Sequence, residues 1–122
     1  MLIKPSFVDN RGSITDILTH VNIDAITLIK SESGAVRANH YHKETTQWTY
    51  ILSGEVEYCS CHLQEEKIAK KTLTKGMIVC AEPWVAHAIR SLTYSEILIV
   101  TKGPRSGKDY ELDTFRLEKP LL

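Results

Sequence analysis

The stretch Gly34–Gly54 reads GAVRANHYHKETTQWTYILSG, and its residue pattern decides the fold class. His40 and His42 stand two positions apart within it. On a β-strand, residues i and i+2 point to the same face, so we expect the two imidazoles to lie side by side. Gln47 begins the next apolar run, and a turn before it would bring its amide towards the same pair. The spacing predicts a site that holds one ion or one substrate.

A later segment adds another histidine. Pro83 marks a bend, and His87 follows it by four positions. Together, His40, His42, Gln47 and His87 would supply three imidazoles and one amide oxygen, a donor set that suits a divalent first-row metal such as zinc, nickel, iron or manganese. By spacing alone, however, a His-x-His pair occurs about as often on an ordinary exposed surface as in a site.

The rest of the chain has the residue pattern of an all-β protein. Short runs of β-branched and aromatic residues alternate with Gly, Pro, Ser and Asn clusters, at the spacing of a sandwich or barrel. The predicted strands are Ala25–Ile29, Gln47–Leu52, Glu55–Cys59, Lys67–Leu73, Met77–Cys80, Ala86–Leu92 and Glu96–Thr101. Ser53-Gly54 predicts a tight turn at hairpin distance, and Lys75-Gly76 predicts a second turn. A length of 122 residues predicts one domain over residues 1–122.

The C-terminal piece, Lys102–Leu122, is more polar than the remainder. It could be a surface arm, a dimer contact or one more strand. The alternation of Tyr110, Leu112, Thr114 and Arg116 allows the strand.

Composition excludes several function classes. The chain has 15 basic and 15 acidic residues with no block of one sign, which argues against nucleic acid and membrane surfaces as partners. It has no apolar run long enough for a signal peptide or a membrane span, so we expect a cytoplasmic protein. Three cysteines without a secretion signal predict free thiols rather than a disulfide framework. The alternative, a soft metal site at Cys59-Ser60-Cys61-His62, lacks the second pair of ligands that zinc knuckles have.

Two motif spacings resemble those of the cupin superfamily. Gly34, five residues, His40-x-His42, then Gln47, six residues and Gly54 resembles the first cupin motif, with Gln47 where an acid is usual. Gly76, six residues, Pro83, three residues and His87 resembles the second. The resemblance covers about residues 34–100. It implies a single-domain jelly-roll β-barrel whose interior carries the histidines.

A closer resemblance comes from the N-terminal half. Asp9–Gly12 followed by Arg37–Tyr41 is similar to the dTDP-4-dehydrorhamnose 3,5-epimerase family, with Ala38 in place of a glycine. His42 and Gln47 resemble the dTDP-sugar 3,4-ketoisomerases even better. Both enzyme groups act on 4-keto-6-deoxy sugar nucleotides without a metal, and their subunits pair through N-terminal strands. The resemblance therefore implies a sugar-nucleotide isomerase or epimerase, with a carbohydrate or sugar-nucleotide substrate and a homodimeric assembly.

The same resemblance implies roles for residues. His40 would be the catalytic base and His42 its neighbour in proton transfer. Arg37 would contact the anionic or sugar part of the substrate, with Gln47 also binding it. Trp84 follows Pro83 near the expected mouth of the barrel, where it could stack on the substrate. The candidate acids are Tyr50, Tyr94 and Tyr110, although Tyr50 shares strand parity with Trp48 and should point away from Gln47.

Two other functions remain open. One is a metal-dependent cupin with a different small-molecule activity. The other is a ligand-binding cupin that does no chemistry, because a fold does not fix a function.

Overall fold

The computed structural model describes residues 1–104 and 111–122, and these residues form β-strands and connecting turns with no helix. The strands are Phe7–Asp9 (β1), Gly12–Ile14 (β2), Ala25–Ser31 (β3), Val36–Tyr41 (β4), Thr46–Ser53 (β5), Glu55–His62 (β6), Lys67–Thr74 (β7), Ile78–Ala81 (β8), Val85–Ser91 (β9), Ser95–Lys102 (β10) and Phe115–Arg116 (β11). The all-β prediction is confirmed, and every predicted strand is present. Within the described residues, no helix is long and apolar enough to cross a membrane.

The strands form two antiparallel sheets that pack around a shared core, beside the separate β1–β2 hairpin. One sheet has the order β3-β10-β5-β8 and the other β11-β4-β9-β6-β7. From β3 onwards the chain changes sheet at almost every connection, and only β6 and β7 are consecutive partners in one sheet. This arrangement is the jelly-roll barrel expected from the motif spacings.

The turn at Ser53-Gly54 lies where the sequence predicts it, but the two strands that it joins do not pair with each other. It carries the chain from β5 in one sheet to β6 in the other. Gly54 has φ +85°, and a Cβ there would meet the Tyr94 carbonyl oxygen and lie 2.7 Å from Ser95 Oγ. Local sequence fixes where the chain reverses, whereas strand partners depend on which apolar faces meet.

The interior changes character along the strands. At one end the core is apolar, built on Ile51, Val56, Leu73 and Ile97, all fully buried. At this apolar end, Ile97 of β10 pairs with Ile51 of β5. At the other end of the same two strands, Thr101 pairs with Gln47, so the inward positions there are polar. Side chains on a strand alternate between faces, so these polar residues must share the interior with the apolar core. The barrel thus has an apolar end that stabilises it and a polar end that can hold a site.

A bulge in β4 sets up that polar end. Ala38 and Asn39 have φ of +72° and +55°, and the pairing of β4 with β9 shifts register between Ala38 and His40. The left-handed backbone region strains alanine and favours glycine, so Ala38 adopts a conformation that a glycine would adopt at lower cost. After the bulge, His40 pairs with His87 of β9.

The C-terminal arm, residues 111–122, lies against β4. Phe115 pairs with Tyr41 and Arg116 with His40, so the arm does contribute one more, very short strand. The side-chain amide of Asn39 holds the end of the arm: Oδ1 accepts from the N–H groups of Leu121 and Leu122, at 2.7 and 3.2 Å. The arm therefore forms part of the barrel rather than a loose extension. Tyr110 lies outside the described residues.

Candidate functional site

Three buried histidines converge at the polar end of the barrel. The ring centroids lie 4.9 Å apart for His40 and His42, 4.8 Å for His40 and His87, and 5.4 Å for His42 and His87. One ring nitrogen from each lies within 4.8 Å of the others. The expectation that the His40 and His42 imidazoles lie side by side is confirmed, and the fold adds His87 from a distant part of the sequence.

The C-terminal arm fixes the orientation of the His42 ring. Its Nδ1 lies 2.6 Å from the main-chain carbonyl oxygen of Asp113, and its Nε2 lies 3.3 Å from Gln47 Oε1. A neutral imidazole has one N–H, and the shorter contact with a carbonyl oxygen assigns it to Nδ1. His42 Nε2 then presents a lone pair to the cluster, where it can bind a cation or accept a proton.

His87 is oriented in a similar way. Its Nδ1 lies 3.3 Å from the carbonyl oxygen of Val85, so an N–H at Nδ1 leaves Nε2 as the ring nitrogen with a lone pair. Metal-binding histidines commonly donate their other ring N–H to a backbone carbonyl or a carboxylate. Zn–N bonds of about 2.0–2.1 Å would set tetrahedral ligand nitrogens about 3.4 Å apart, so the rings would draw closer around an ion. The donor set and its supporting hydrogen bonds fit a divalent metal.

Gln47 completes the cluster. Only 4% of its surface is exposed, and its amide nitrogen donates to Thr49 Oγ1 at 3.4 Å. The structure therefore brings together all four residues that the sequence predicts as metal ligands. An amide in place of the usual acid leaves this interior cluster without a carboxylate of its own.

A cavity of about 200 Å³ opens onto the cluster. It is lined by Ile29, Arg37, Ala38, His40, Gln47, Ile89, Ile99, Thr114 and Arg116. A larger groove of about 460 Å³ lies on the outside of the β5–β8 sheet, between Trp48 and the N-terminal segment. That groove is lined almost entirely by apolar side chains and includes none of the histidines. We therefore place the candidate site in the smaller cavity.

The other residues predicted for the site are distributed differently. Arg37 lines the cavity, and its Nε donates to Ser31 Oγ at 3.0 Å. Trp84 does not line it: its ring stacks on Tyr41 at 5.5 Å, on the opposite face of β4 from His40, and Trp84 is 40% exposed.

The tyrosines considered as acids do not line the cavity in the described residues. Tyr50 faces away from Gln47, as its strand parity predicts, since burial alternates along β5. Tyr94 is 47% exposed at the β9–β10 connection. Tyr58, which the sequence did not single out, lies inside the barrel with its ring stacked 6.5 Å from that of His87. Its hydroxyl has no hydrogen-bond partner among the described residues, and burial raises its pKa well above the ordinary value.

Asp113 is the main supporting residue that sequence reasoning missed. Its carboxylate accepts from the backbone N–H groups of Lys43, Glu44 and Thr45 at 2.9, 2.9 and 2.8 Å. Burial by itself would raise the pKa of this carboxyl, but those N–H groups and the Thr45 hydroxyl outweigh it and hold the pKa below 3.8. Asp113 thus fixes the turn between His42 and Gln47. No local motif marks it, because its partners lie about 70 residues earlier.

The fold is the cupin barrel, and solved structures of sugar-nucleotide epimerases and ketoisomerases share it. The sequence profile of the family described as polysaccharide biosynthesis C-terminal domain matches residues 7–115. The chain belongs to this family. A search of curated proteins found no match.

Solved structures show the same fold. The sugar 3,4-ketoisomerase QdtA from Thermoanaerobacterium thermosaccharolyticum, in complex with TDP, is 21% identical with a TM-score of 0.76, over 97% of this chain and 88% of its own. The dTDP-4-dehydrorhamnose 3,5-epimerase from Sulfolobus tokodaii is 18% identical with a TM-score of 0.68, over 83% and 66%. The capsular polysaccharide assembling protein CapF from Staphylococcus aureus is 20% identical with a TM-score of 0.65, over 97% and 32%. This chain thus spans about a third of CapF.

Proposed function

We propose that this chain is a sugar-nucleotide isomerase or epimerase that acts next to the ketone of a 4-keto-6-deoxy sugar nucleotide. The observation that supports it most is the buried histidine cluster at the base of a cavity whose lining includes Arg37. His40 both belongs to the cluster and lines the cavity, so it is the histidine best placed to meet a substrate.

The chemistry needs a base near neutral pH. An imidazole with a pKa near 6.5 can take a proton from a carbon beside a ketone, and the C–H electron pair moves to form an enolate. Return of a proton to the opposite face of that carbon epimerises it, and return to the neighbouring carbon, with a proton moved between oxygens, relocates the ketone. In this proposal His40 removes the proton and His42 relays it, while Arg37 binds an anionic group of the substrate.

Solvent deuterium exchange tests this proposal. The wild type should exchange deuterium into C3 of a TDP- or UDP-linked 4-keto-6-deoxy hexose, as measured by NMR. His40→Asn should lower the exchange rate about a hundredfold or more, the usual contribution of a general base. Arg37→Ala should mainly weaken substrate binding, because it removes a guanidinium that contacts an anion.

His62→Ala is the matched control. His62 lies at the end of β6, and it is not part of the buried histidine cluster among the described residues. This variant should exchange deuterium at the wild-type rate. An absence of exchange in the wild type on both nucleotide sugars, with and without added divalent metal, would exclude the isomerase proposal.

A second candidate function is a metal-dependent cupin, and the orientation of His42 and His87 supports it. Their Nδ1 contacts with backbone carbonyls leave a lone pair on both Nε2 atoms. A divalent ion held by His40, His42, His87 and Gln47 would act as a Lewis acid towards a substrate oxygen.

Gln47→Glu tests the metal site. Restoring a carboxylate adds a negative charge beside the ion, so the variant should bind zinc more tightly than the wild type by isothermal titration calorimetry of untagged protein. His42→Ala should lower metal content and melting temperature together, since a metal bound only by the folded state stabilises it. Equal zinc affinity for Gln47→Glu and the wild type would place Gln47 outside the coordination sphere.

We also propose that the chain forms a homodimer through its N-terminal hairpin. Among the described strands, β1 and β2 pair only with each other. Phe7, Val8 and Ile14 on this hairpin are 52%, 67% and 61% exposed. An isolated two-stranded hairpin is marginally stable in water, and exposed apolar clusters of this kind often mark protein contacts.

A further inference from the structure

The mouth of the histidine cavity carries two arginines from different parts of the chain. Arg37 comes from β4 and Arg116 from β11 of the C-terminal arm, and both line the cavity. The described lining residues include no carboxylate. The lining thus carries two guanidinium groups, and Glu111, outside the lining, pairs with one of them. The remaining positive charge can attract an anion.

Strand pairing explains why Arg116 faces the cavity. Residues directly opposite on paired strands point to the same face of the sheet. Arg116 pairs with His40, so it shares the inward face, whereas Phe115 pairs with Tyr41 and stacks on it at 5.4 Å on the outer face. The backbone on both sides of Thr114 is therefore held in place, by the hydrogen bonds of Asp113 before it and by the Phe115–Tyr41 stack after it. This fixes the position of Arg116 at the mouth of the cavity.

The current partner of Arg116 leaves it available for a ligand. Its Nη2 lies 3.4 Å from Glu111 Oε1, and the two side chains are 65% and 55% exposed. Exposed ion pairs contribute little to stability and rearrange readily. A phosphate group can accept two parallel N–H bonds from a guanidinium and would compete well with this contact.

The size of the cavity indicates which part of the substrate would meet these arginines. Its volume of about 200 Å³ is below the range of roughly 300–1,000 Å³ that is usual for whole drug-sized ligands. Only the reacting sugar would then enter, and the charged remainder of a nucleotide sugar would cross the mouth. We propose that Arg116, together with Arg37, binds the diphosphate of the substrate, so that the C-terminal arm selects for a sugar that carries this group. This inference rests on the proposed sugar-nucleotide function.

Binding of TDP to the full chain tests it. The wild type should bind TDP by isothermal titration calorimetry, and the affinity should fall as salt is raised. Arg116→Ala should weaken binding about tenfold or more, the loss typical of a hydrogen bond to a charged group. Arg116→Gln keeps the unbranched aliphatic stem and N–H donors but removes the charge, and it should show the same loss if the alanine variant folds poorly by circular dichroism.

Lys119→Ala is the matched control, because it removes one positive charge from the same arm at an exposed residue that lines a different, outer groove. It should bind TDP within about twofold of the wild type. The proposal for Arg116 is overturned if folded Arg116→Ala or Arg116→Gln binds TDP as the wild type does, if Lys119→Ala loses as much affinity, or if the wild type binds neither TDP nor UDP. Deuterium exchange into the keto sugar, measured on the same wild-type sample, reports separately on the proposed function.

Discussion

Asp113 connects two parts of the candidate site through its backbone and its side chain. The main-chain carbonyl sets the proton of His42 at Nδ1, and the carboxylate accepts three backbone N–H groups from the turn that leads to Gln47. Asp113 thus controls both the orientation of the His42 imidazole and the distance between that imidazole and the Gln47 amide. Its ionised form is the one that makes these hydrogen bonds.

The lowered pKa of Asp113 predicts a loss of stability in acid. Because the folded pKa lies below the ordinary value of 3.8, the stabilisation is present above pH 3.8 and is lost as pH falls through the folded pKa. Asp113→Asn should unfold at lower urea concentration at pH 7, with a free energy of unfolding smaller by about 1–3 kcal/mol. As pH falls below 3.8 and through the folded pKa, the wild type and the variant should converge.

Asp16→Asn is the control for that experiment. Asp16 is exposed, and its carboxylate accepts from Ser6 Oγ at 3.2 Å near the surface. This variant should stay within about 0.5 kcal/mol of the wild type at pH 7. A gap between Asp113→Asn and the wild type that does not shrink as the solution is acidified from pH 7 to well below 3.8 would mean that ionisation of Asp113 is not the source of the effect.

At the scale of the elements, the connections between sheets determine the shape of the barrel. The β5–β6 turn passes under the chain at Tyr94 and Ser95, and the β3–β4 turn at Gly34 has open space around it. Both glycines have positive φ, +85° for Gly54 and +88° for Gly34. They share a backbone conformation and differ in their surroundings.

Gly54→Ala and Gly34→Ala should therefore differ in stability. An added Cβ at Gly34 meets nothing within 4 Å, so the cost is backbone strain alone, about 1–2 kcal/mol. At Gly54 the added Cβ would also collide with backbone atoms of Tyr94 and Ser95, so we expect the free energy of unfolding to fall by at least about 3 kcal/mol. Urea denaturation measures both values. Equal losses would show that the turn relaxes and that the close approach at Tyr94 is not a constraint.

At the scale of the whole molecule, apolar surface remains exposed outside the barrel core. The histidine cluster lies inside the barrel, whereas the N-terminal hairpin leaves large apolar side chains in contact with water. A homodimer that covers this hairpin would bury them, and the hydrophobic effect would favour the association by roughly 25 cal/mol for each Å² of apolar surface removed from water.

Val8→Asp should shift the proposed dimer towards monomer, because it places a charge among the exposed side chains of β1. Sedimentation equilibrium on the wild type and the variant measures this. Ile68→Asp is the control, since Ile68 is similarly exposed, at 61%, but lies on β7 of the five-stranded sheet. A monomeric wild type at micromolar concentration, or an Ile68→Asp variant that dissociates as much as Val8→Asp, would contradict the proposed interface.

The sequence by itself determined the strand positions, the β5–β6 turn and the grouping of His40 with His42. These are local properties: strand side chains alternate with period two, and glycine permits the positive φ that the turn needs. The motif spacings also brought Gln47 and His87 into the predicted set of ligands. The alternation in β5 correctly directed Tyr50 away from Gln47.

Only the tertiary structure decided which strands pair and what surrounds the cluster. It separated β5 from β6, moved Trp84 to the opposite face of β4, and brought Asp113 and Arg116 to the histidines. The positions of Asp113 and Arg116 depend on contacts with segments about 70 residues earlier in the chain, which no local spacing encodes. Strands pair in the arrangement that buries their apolar faces. A short polar segment such as the C-terminal arm then lies along a sheet edge where its backbone groups can form hydrogen bonds.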